Sequence, residues 1–210
     1  MAGNLQVDEN KIKSYYKTIA IKRFFDILVS LILLVVIFVP ALFITLAIFL
    51  QDRHNPFFVQ ERIGRNGKVF KIIKFRTMVV GSEKLENELL KNSKNGFVQV
   101  HHDPRVTKFG KILRHTSFDE IPQFINVLKG DMSLIGPRPF IAIEIEQLNT
   151  DEAKRMKVYP GLTGLAQLKG RSRLSIHDVV KFDIEYINKY TLLRDFRILI
   201  NTIFVVLGGV

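Results

Sequence analysis

The apolar residues of this chain are concentrated near its beginning. Residues 27–50 form a run of 24 residues without a charge, and Ser30 and Thr45 carry its only hydroxyl groups. As a helix the run is about 36 Å long, at about 1.5 Å per residue, which is enough to cross a bilayer. It is too long for a cleavable signal peptide, and no small-residue cleavage pattern follows it. The pattern predicts a membrane helix, and a core helix of a soluble protein is the alternative.

Basic residues flank this run on both sides, and positive charge near a membrane segment favours the cytoplasmic face. The flanking residues are Lys11, Lys13, Lys17, Lys22 and Arg23 before the run, and Arg53, Arg62, Arg65, Lys68, Lys71, Lys74 and Arg76 after it. Pro40 lies inside the run and predicts a kink, because proline removes a backbone donor and clashes with the preceding turn. The two arms, roughly 20 and 15 Å long, are too short to reach the far face. The charges therefore favour a re-entrant helix over a straight span.

After the run, short elements alternate with turn signals. Asn66-Gly67 separates two β-prone segments and predicts a hairpin of Val59–Ile63 with Val69–Phe75. Helical patterns follow over Ile121–Lys129, which ends at Gly130, and over three other segments. These are residues 81–94, Val179–Tyr190 and Phe196–Leu207. The last is too short to span a membrane and is suited to the core or to the membrane surface.

These elements predict an α+β fold that is mostly helical. We expect a polar N-terminal segment over residues 1–21 and a kinked re-entrant membrane helix over residues 22–51. Residues 52–210 then form a single domain with a minor β-hairpin and amphipathic helices at the membrane surface.

The composition narrows the class of ligand. Lys and Arg number 31 against 20 Asp and Glu, a formal net charge of +11, which favours nucleic acid, a phosphorylated ligand or anionic lipid as partner. No RNA-binding signature interleaves aromatic with basic residues, so we expect no nucleic-acid partner. The absence of cysteine excludes disulfides and thiolate metal sites. The adjacent His101 and His102 lack further ligands for zinc.

Two adjacent acids, Asp119 and Glu120, stand out in this basic chain. In one interpretation Ser117 and Glu120 form a capping box at a helix start, and the acids only suit the helix dipole. Pro122 then falls one turn into the helix, where its missing N–H is a loss. A start near Glu120 instead puts Pro122 in the first turn and Asp119 at the helix mouth, where anions are favoured. The sequence leaves both interpretations open.

The functional interpretation uses the same acids for chemistry on phosphate. Two carboxylates suit Mg²⁺, and a carboxylate can also attack phosphorus as a nucleophile. Cations for the phosphate oxygens are Lys74, Arg114, Arg138 and Arg171. The prolines around Arg138 either fix its presentation to a ligand or belong to an ordinary turn.

Seven blocks, read in order, resemble the bacterial sugar transferases, the monotopic phosphoglycosyl transferases that load a polyprenyl phosphate carrier. They are KRFFD (22–26), FKIIKFRTM (70–78), DPRVT (103–107), RHTSFDEIPQ (114–123), NVLKGDMS (126–133), GPRP (136–139) and PGLTGLAQ (160–167). Each block alone is weak, whereas the ordered set is specific and covers nearly the whole chain. One departure is Val39, since the family often has serine before the proline of the bend.

The resemblance implies transfer of a sugar-1-phosphate from a UDP-sugar to polyprenyl phosphate, with Mg²⁺ as cofactor and release of UMP. It implies that Asp119 carries the phosphosugar covalently and that Glu120 assists through Mg²⁺. Lys74, Arg114, Gln123, Asp131, Arg138 and Arg171 fall on positions that line the family's site. The resemblance also implies a minimal catalytic form at the inner membrane, with the domain on the cytoplasmic face.

Two rival hypotheses and one question stay open at this level. The first rival is a one-step transfer in which Asp119 is only a ligand of Mg²⁺. The second is a non-enzymatic, membrane-tethered binder of anionic polymer, explained by the net charge alone. The sequence names neither the sugar nor the oligomeric state, so a homodimer stays open as well.

Overall fold

The computed structural model describes residues 6–82, 103–170 and 174–207. The helices are α1 (Glu9–Asp52), α2 (Lys108–Thr116), α3 (Gln123–Lys129), α4 (Ala142–Ile145), α5 (Leu165–Lys169), α6 (Ile176–Asn188) and α7 (Leu192–Leu207). The strands are β1 (Phe57–Ile63), β2 (Val69–Phe75), β3 (Ser133–Ile135) and β4 (Gly161–Thr163). The prediction of a mostly helical chain with a small β-hairpin is confirmed. The helix predicted over residues 81–94 lies almost wholly outside the described residues.

Helix α1 dominates the architecture, with 44 residues in one element. The side chain of Asp8 accepts from the N–H of Asn10 and caps its start, and Arg53 ends it in the left-handed conformation with φ 59°. The helix begins inside the segment assigned to the polar N-terminus, so residues 9–21 are continuous with the apolar run. Pro40 lies within the helix and does not end it.

One face of α1 packs on the domain along nearly its whole length. Its buried residues recur at helical spacing and are Ile12, Tyr15, Lys22, Asp26, Ser30, Ile44 and Ile48. The opposite face is apolar and exposed, with Val35 at 71% and Phe43 at 69% exposure. Among the described helices, α1 alone is long and apolar enough to cross a membrane. An exposed apolar face of this kind is typical of a surface that contacts lipid or another protein.

Two hydrophobic clusters join α1 to the rest of the domain. The larger packs the first part of α1 against α3, β3 and α6, with Val127 and Val180 fully buried. The smaller packs Ile44 and Ile48 against Phe75 of β2, Leu113 of α2 and Ile121. The second cluster lies next in sequence to the acid pair, because Ile121 directly follows Glu120.

The predicted hairpin is confirmed. Strands β1 and β2 pair antiparallel from Phe57 opposite Phe75 to Ile63 opposite Val69. Asn66 and Gly67, with φ of 55° and 79°, both lie in the left-handed region that the connecting turn requires. Lys74 therefore lies on β2 next to Phe75, which is buried in the smaller cluster.

The segment between α2 and α3 differs from both predicted starts of the following helix. Ser117 is left-handed, with φ 58°, and its side chain caps no helix. It ends α2, and Phe118–Glu120 then form a turn of 3₁₀-helix. Helix α3 begins only at Gln123, behind Pro122, because the missing proline N–H costs nothing there. The capping-box interpretation is wrong, as is a helix start at Glu120.

Strands β3 and β4 form a short parallel pair, which the sequence did not predict. Ser133 of β3 lies opposite Gly161 of β4, and Ile135 lies opposite Thr163. A side chain on Gly161 would collide with the backbone of Gly136, so the close approach of the two segments requires glycine. The pairing thereby fixes where the chain leaves β3, which ends at Ile135, three positions before Arg138.

Candidate active site

Asp119 and Glu120 lie in the 3₁₀ turn between α2 and α3, with the end of β2 beside them. The Nζ of Lys74 on β2 donates to Oε1 of Glu120 at 2.7 Å, and both side chains are partly exposed. The structure therefore brings Lys74 to the acid pair, although Lys74 and Glu120 are 46 positions apart in the sequence. The carboxylates stay accessible to a ligand while one of them is already neutralised.

The two carboxyl groups differ in their electrostatics. Burial raises the pKa of Asp119 to about 6; the charge of Lys74 opposes this rise, and the neighbouring Glu120 adds to it. Burial also acts upward on Glu120, but the charge and the hydrogen bond of Lys74 outweigh it and hold its pKa below the ordinary value. Asp119 is thus the more basic and the less neutralised carboxylate, which suits a nucleophile.

Two further predicted residues border the acid pair. Arg114, in the last turn of α2, donates from Nε to Oγ1 of Thr77 at 2.8 Å, and its charge lowers the pKa of Asp119. Gln123 is 2% exposed and opens α3 on the side of Glu120. A hydrogen bond from its side chain contributes to the lowered pKa of Glu120, so Gln123 helps to hold this carboxylate in its ionised form.

Arg138 also acts on the acid pair through its charge. It lies in the segment Gly136 to Phe140, here called the Arg138 turn, which follows β3. Its positive charge contributes to the lowered pKa of Glu120. Lys74, Arg114 and Arg138 thus all act electrostatically on the two acids, and an anionic ligand bound at the acids would meet all three cations.

The two remaining predicted site residues are Asp131 and Arg171, and among the described residues Asp131 makes no hydrogen bond or ion pair with the acid pair. Oδ2 of Asp131 accepts from Asn126 at 3.4 Å, and the same Asn126 amide donates to the backbone of Lys71 at 2.7 Å. Asp131 is therefore placed at the far end of α3, in a network that joins α3 to β2. Arg171 lies outside the described residues. No group of three or more metal-ligating side chains occurs within the described ranges.

A family model for bacterial sugar transferases matches residues 16–209 of this chain. The chain belongs to the bacterial sugar transferase family. The match extends over α1 as well as over the domain that carries the acid pair.

Three relatives illustrate the similarity to other bacterial sugar transferases. A galactosyl transferase CpsE of Streptococcus agalactiae is 42% identical over 197 residues, which are 92% of this chain and 44% of that protein. An undecaprenyl-phosphate galactose phosphotransferase of Salmonella typhimurium is 38% identical over 89% of this chain and 40% of its own length. An exopolysaccharide production protein ExoY of Sinorhizobium fredii is 35% identical over 87% of this chain and 83% of its own length. The chain thus spans less than half of the first two proteins.

Sequence reasoning missed one buried ion pair close to the site. Arg155 donates from Nε to Oδ2 of Asp183 at 2.8 Å, its Nη2 lies 2.6 Å from the same oxygen, and both residues are at most 2% exposed. A signal was present in the sequence. Asp183 lies in the same helical stripe as Val180, Ile184 and Ile187, and a carboxylate inside an apolar stripe needs a buried cation.

Proposed function

We propose that this chain transfers a sugar-1-phosphate from a UDP-sugar to polyprenyl phosphate, releasing UMP and giving a polyprenyl diphosphate sugar. One observation carries the proposal: a carboxylate pair is surrounded by Lys74, Arg114 and Arg138 on a domain built around an exposed apolar helix. A relative in Escherichia coli, 38% identical over 192 residues, is named UDP-glucose:undecaprenyl-phosphate glucose-1-phosphate transferase. This name supports both the donor class and the acceptor class.

In the first step a carboxylate oxygen of Asp119 attacks the β-phosphorus of the UDP-sugar. A bond forms between that oxygen and phosphorus, and the bond from phosphorus to the bridging oxygen of the diphosphate breaks. UMP leaves with the bonding electrons, and the phosphosugar remains on Asp119 as an acyl phosphate. Arg114 and Arg138 neutralise the phosphate oxygens as charge moves onto the leaving group.

In the second step an oxygen of polyprenyl phosphate attacks the same phosphorus. The bond between phosphorus and Asp119 breaks, the carboxylate is restored, and the diphosphate linkage of the product forms. Lys74 holds Glu120 in place and limits the pKa of Asp119, so that Asp119 is an acceptable leaving group in this step and a nucleophile in the first.

The donor set at the acid pair fits Mg²⁺. This ion binds through one or two carboxylates and completes its shell with water and substrate phosphate, so two adjacent acids are sufficient. Asp119 and Glu120 would hold it, and it would supply charge neutralisation for the diphosphate of the donor.

The arrangement of α1 supports a re-entrant anchor with the domain on the cytoplasmic face. Just before the apolar run, Asp26 accepts from the N–H of Leu134 at 3.1 Å. Just after it, Asp52 accepts from both terminal nitrogens of Arg76, at 2.6 and 2.7 Å. Both ends of the run are thus tied to one charged domain, which cannot lie on both sides of a bilayer. The proposed bend at Pro40, where proline removes a backbone donor, would let the run enter lipid and return.

The anchor also has a use in the reaction. The acceptor's phosphate lies at the membrane interface because its long hydrocarbon chain stays in the bilayer. A soluble enzyme would have to extract that chain at about 0.8 kcal/mol per CH₂ group. The exposed apolar face of α7 adds surface for the same interface, through Leu193, Phe196, Ile200, Ile203 and Phe204.

The reaction is tested with the purified chain in nanodiscs, by measuring UMP release from a panel of UDP-sugars with polyprenyl phosphate and Mg²⁺. We expect release from at least one UDP-sugar, together with a lipid-linked product of matching sugar. Binding of anionic polymer in proportion to total charge, with no UMP from any donor, would instead support the non-enzymatic hypothesis.

The topology is tested with single cysteines, which the natural chain lacks. Lys17→Cys on α1 and Lys68→Cys at the hairpin turn are suitable because both positions are exposed. In intact spheroplasts of a bacterial host we expect a membrane-impermeant maleimide to label neither variant, and to label both after lysis. Labelling of only one of them before lysis would show a straight span.

A further inference from the structure

The Arg138 turn is held by hydrogen bonds to each of its last four carbonyl groups. Pro137 and Pro139 have no N–H, so the turn can be fixed mainly through carbonyl oxygens. The backbone N–H groups of Gly161 and Ile63 donate to the carbonyls of Pro137 and Phe140, each at 2.8 Å. Side chains hold the two carbonyls between them. Nη1 of Arg62 donates to Pro139 at 3.3 Å, and Nη2 of Arg155 donates to Arg138 at 2.6 Å.

Arg155 is itself fixed from three directions. Its Nε donates to Asp183 of α6, its Nη2 donates to the backbone carbonyl of Arg138, and its guanidinium carbon lies 3.6 Å from the ring centre of Phe140. At 2% exposure it is shielded from solvent. A planar guanidinium with several fixed donors is suited to this task, whereas an ammonium group is not. The contact to the carbonyl of Arg138 is shorter than the contacts to the other three carbonyl groups.

The charge of Arg138 acts both on Asp183, the buried partner of Arg155, and on Glu120 of the acid pair. Burial raises the pKa of Asp183 to about 6, against the attraction of Arg155 and of Arg138. Arg138 likewise contributes to the lowered pKa of Glu120. Its charge therefore acts on a buried carboxylate on one side and on the active-site carboxylate on the other. A change in the position of the turn would alter how the Arg138 charge meets a ligand at Asp119 and Glu120.

We propose that Arg155, oriented by Asp183, is a positioning residue that fixes the backbone of Arg138 so that its guanidinium meets the phosphate of the donor. The inference rests on the proposed function, because it takes a phosphate as the ligand of Arg138. Misplacing a charged group by about 1 Å can lower a rate by about 100-fold. The contact of Arg155 with the backbone of Arg138 is therefore expected to affect the reaction rate, although Arg155 itself does not touch the substrate.

The test compares Arg155→Lys with a matched control, Arg194→Lys. Lysine at position 155 keeps a charge beside Asp183 but cannot serve Asp183 and the carbonyl of Arg138 together. Arg194 also joins a carboxylate of α6, that of Glu185, to a backbone carbonyl, that of Lys189, but it lies away from the Arg138 turn. We expect kcat/KM for UMP release to fall about 10- to 100-fold in Arg155→Lys and by less than about twofold in Arg194→Lys.

A double-mutant cycle separates positioning from a purely structural role. In an Arg138→Ala background, Arg155→Lys is expected to change kcat/KM by less than about twofold, because the group that it positions is gone. The inference would be overturned if Arg155→Lys lowered kcat/KM equally in the natural chain and in the Arg138→Ala background. It would also be overturned if the fall in kcat/KM only followed the fall in melting temperature. Asp183→Asn, which keeps the shape of the side chain, is expected to give the same pattern and serves if Arg155→Lys does not fold.

Hydrogen exchange provides a readout that does not depend on activity. The peptide that contains residues 136–141 is expected to exchange about tenfold faster in Arg155→Lys than in the natural chain, and unchanged in Arg194→Lys. Unchanged exchange in Arg155→Lys would refute the positioning role even if the chain proved inactive. Absence of UMP release from the natural chain, with faster exchange in the variant, would refute the proposed function while the positioning of the turn stands.

Discussion

Asp119→Asn is expected to abolish UMP release, with a loss of at least about 10³-fold. Losses of this size are typical when a covalent nucleophile is removed from its supporting groups. The amide has nearly the shape of the carboxylate but no anionic oxygen to attack phosphorus, so an acyl phosphate cannot form. The measurement is UMP release without and with polyprenyl phosphate, at saturating donor and Mg²⁺.

The control for this variant is Asp151→Asn, an equal change at an exposed acid that pairs with Lys154 away from the site. It is expected to leave the rate within about twofold of the natural chain, since exposed ion pairs contribute little. Turnover above one tenth of the natural rate in Asp119→Asn would show that Asp119 is not the nucleophile.

Lys74→Met is expected to lower the rate of UMP release about 100-fold at pH 7 and to move the acid limb of its pH profile to higher pH. Lys74 opposes the rise in the pKa of Asp119 and neutralises Glu120 through a 2.7 Å hydrogen bond. Without this cation the pKa of Asp119 rises further above about 6. More of the carboxyl is then protonated at neutral pH, and a protonated carboxyl does not attack.

The direction of the pH effect follows from the raised pKa. In the natural chain the rate is expected to fall as pH decreases through about 6, and in Lys74→Met the fall begins at a higher pH. Both profiles are measured between pH 5 and 9 at one Mg²⁺ concentration. Lys71→Met is the matched control, because Lys71 is exposed on the same strand and lies opposite Glu61. A profile of Lys74→Met that matched the natural chain would contradict this role.

Local sequence signals were sufficient for the features that depend on neighbouring residues. The length and flanks of the apolar run predicted a membrane helix, and α1 has a long exposed apolar face there. Asn66-Gly67 predicted the hairpin because these residues tolerate left-handed conformations, which both adopt. Gly130 predicted the end of α3 for the same reason, with φ 87°.

Features that depend on distant partners could not be predicted in the same way. Ser117 resembled a helix cap locally, but it ends α2, because the smaller cluster packs both Leu113 and Ile121 and forces a tight turn between them. The partner of Asp183 is 28 residues away, and nothing in the sequence singled out Arg155. The two-residue pairing of β3 with β4 is likewise too short for a periodic signal.

One property of the acid pair was predictable from the sequence, and another was not. Two adjacent acids in a basic chain indicated phosphate chemistry, and the structure brings Lys74, Arg114 and Arg138 into electrostatic range of them. The difference between the two acids was not predictable, because it depends on which carboxylate the Nζ of Lys74 approaches. That difference assigns Asp119 as the more basic oxygen donor.

The covalent step is tested most directly by mass spectrometry of the chain after incubation with a UDP-sugar and Mg²⁺ and without any lipid acceptor. We expect rapid acid quenching to trap a peptide that contains Asp119 with the added mass of one phosphosugar, and we expect added polyprenyl phosphate to remove that mass. An unmodified peptide, with UMP released only when polyprenyl phosphate is present, would contradict the covalent route and favour direct transfer.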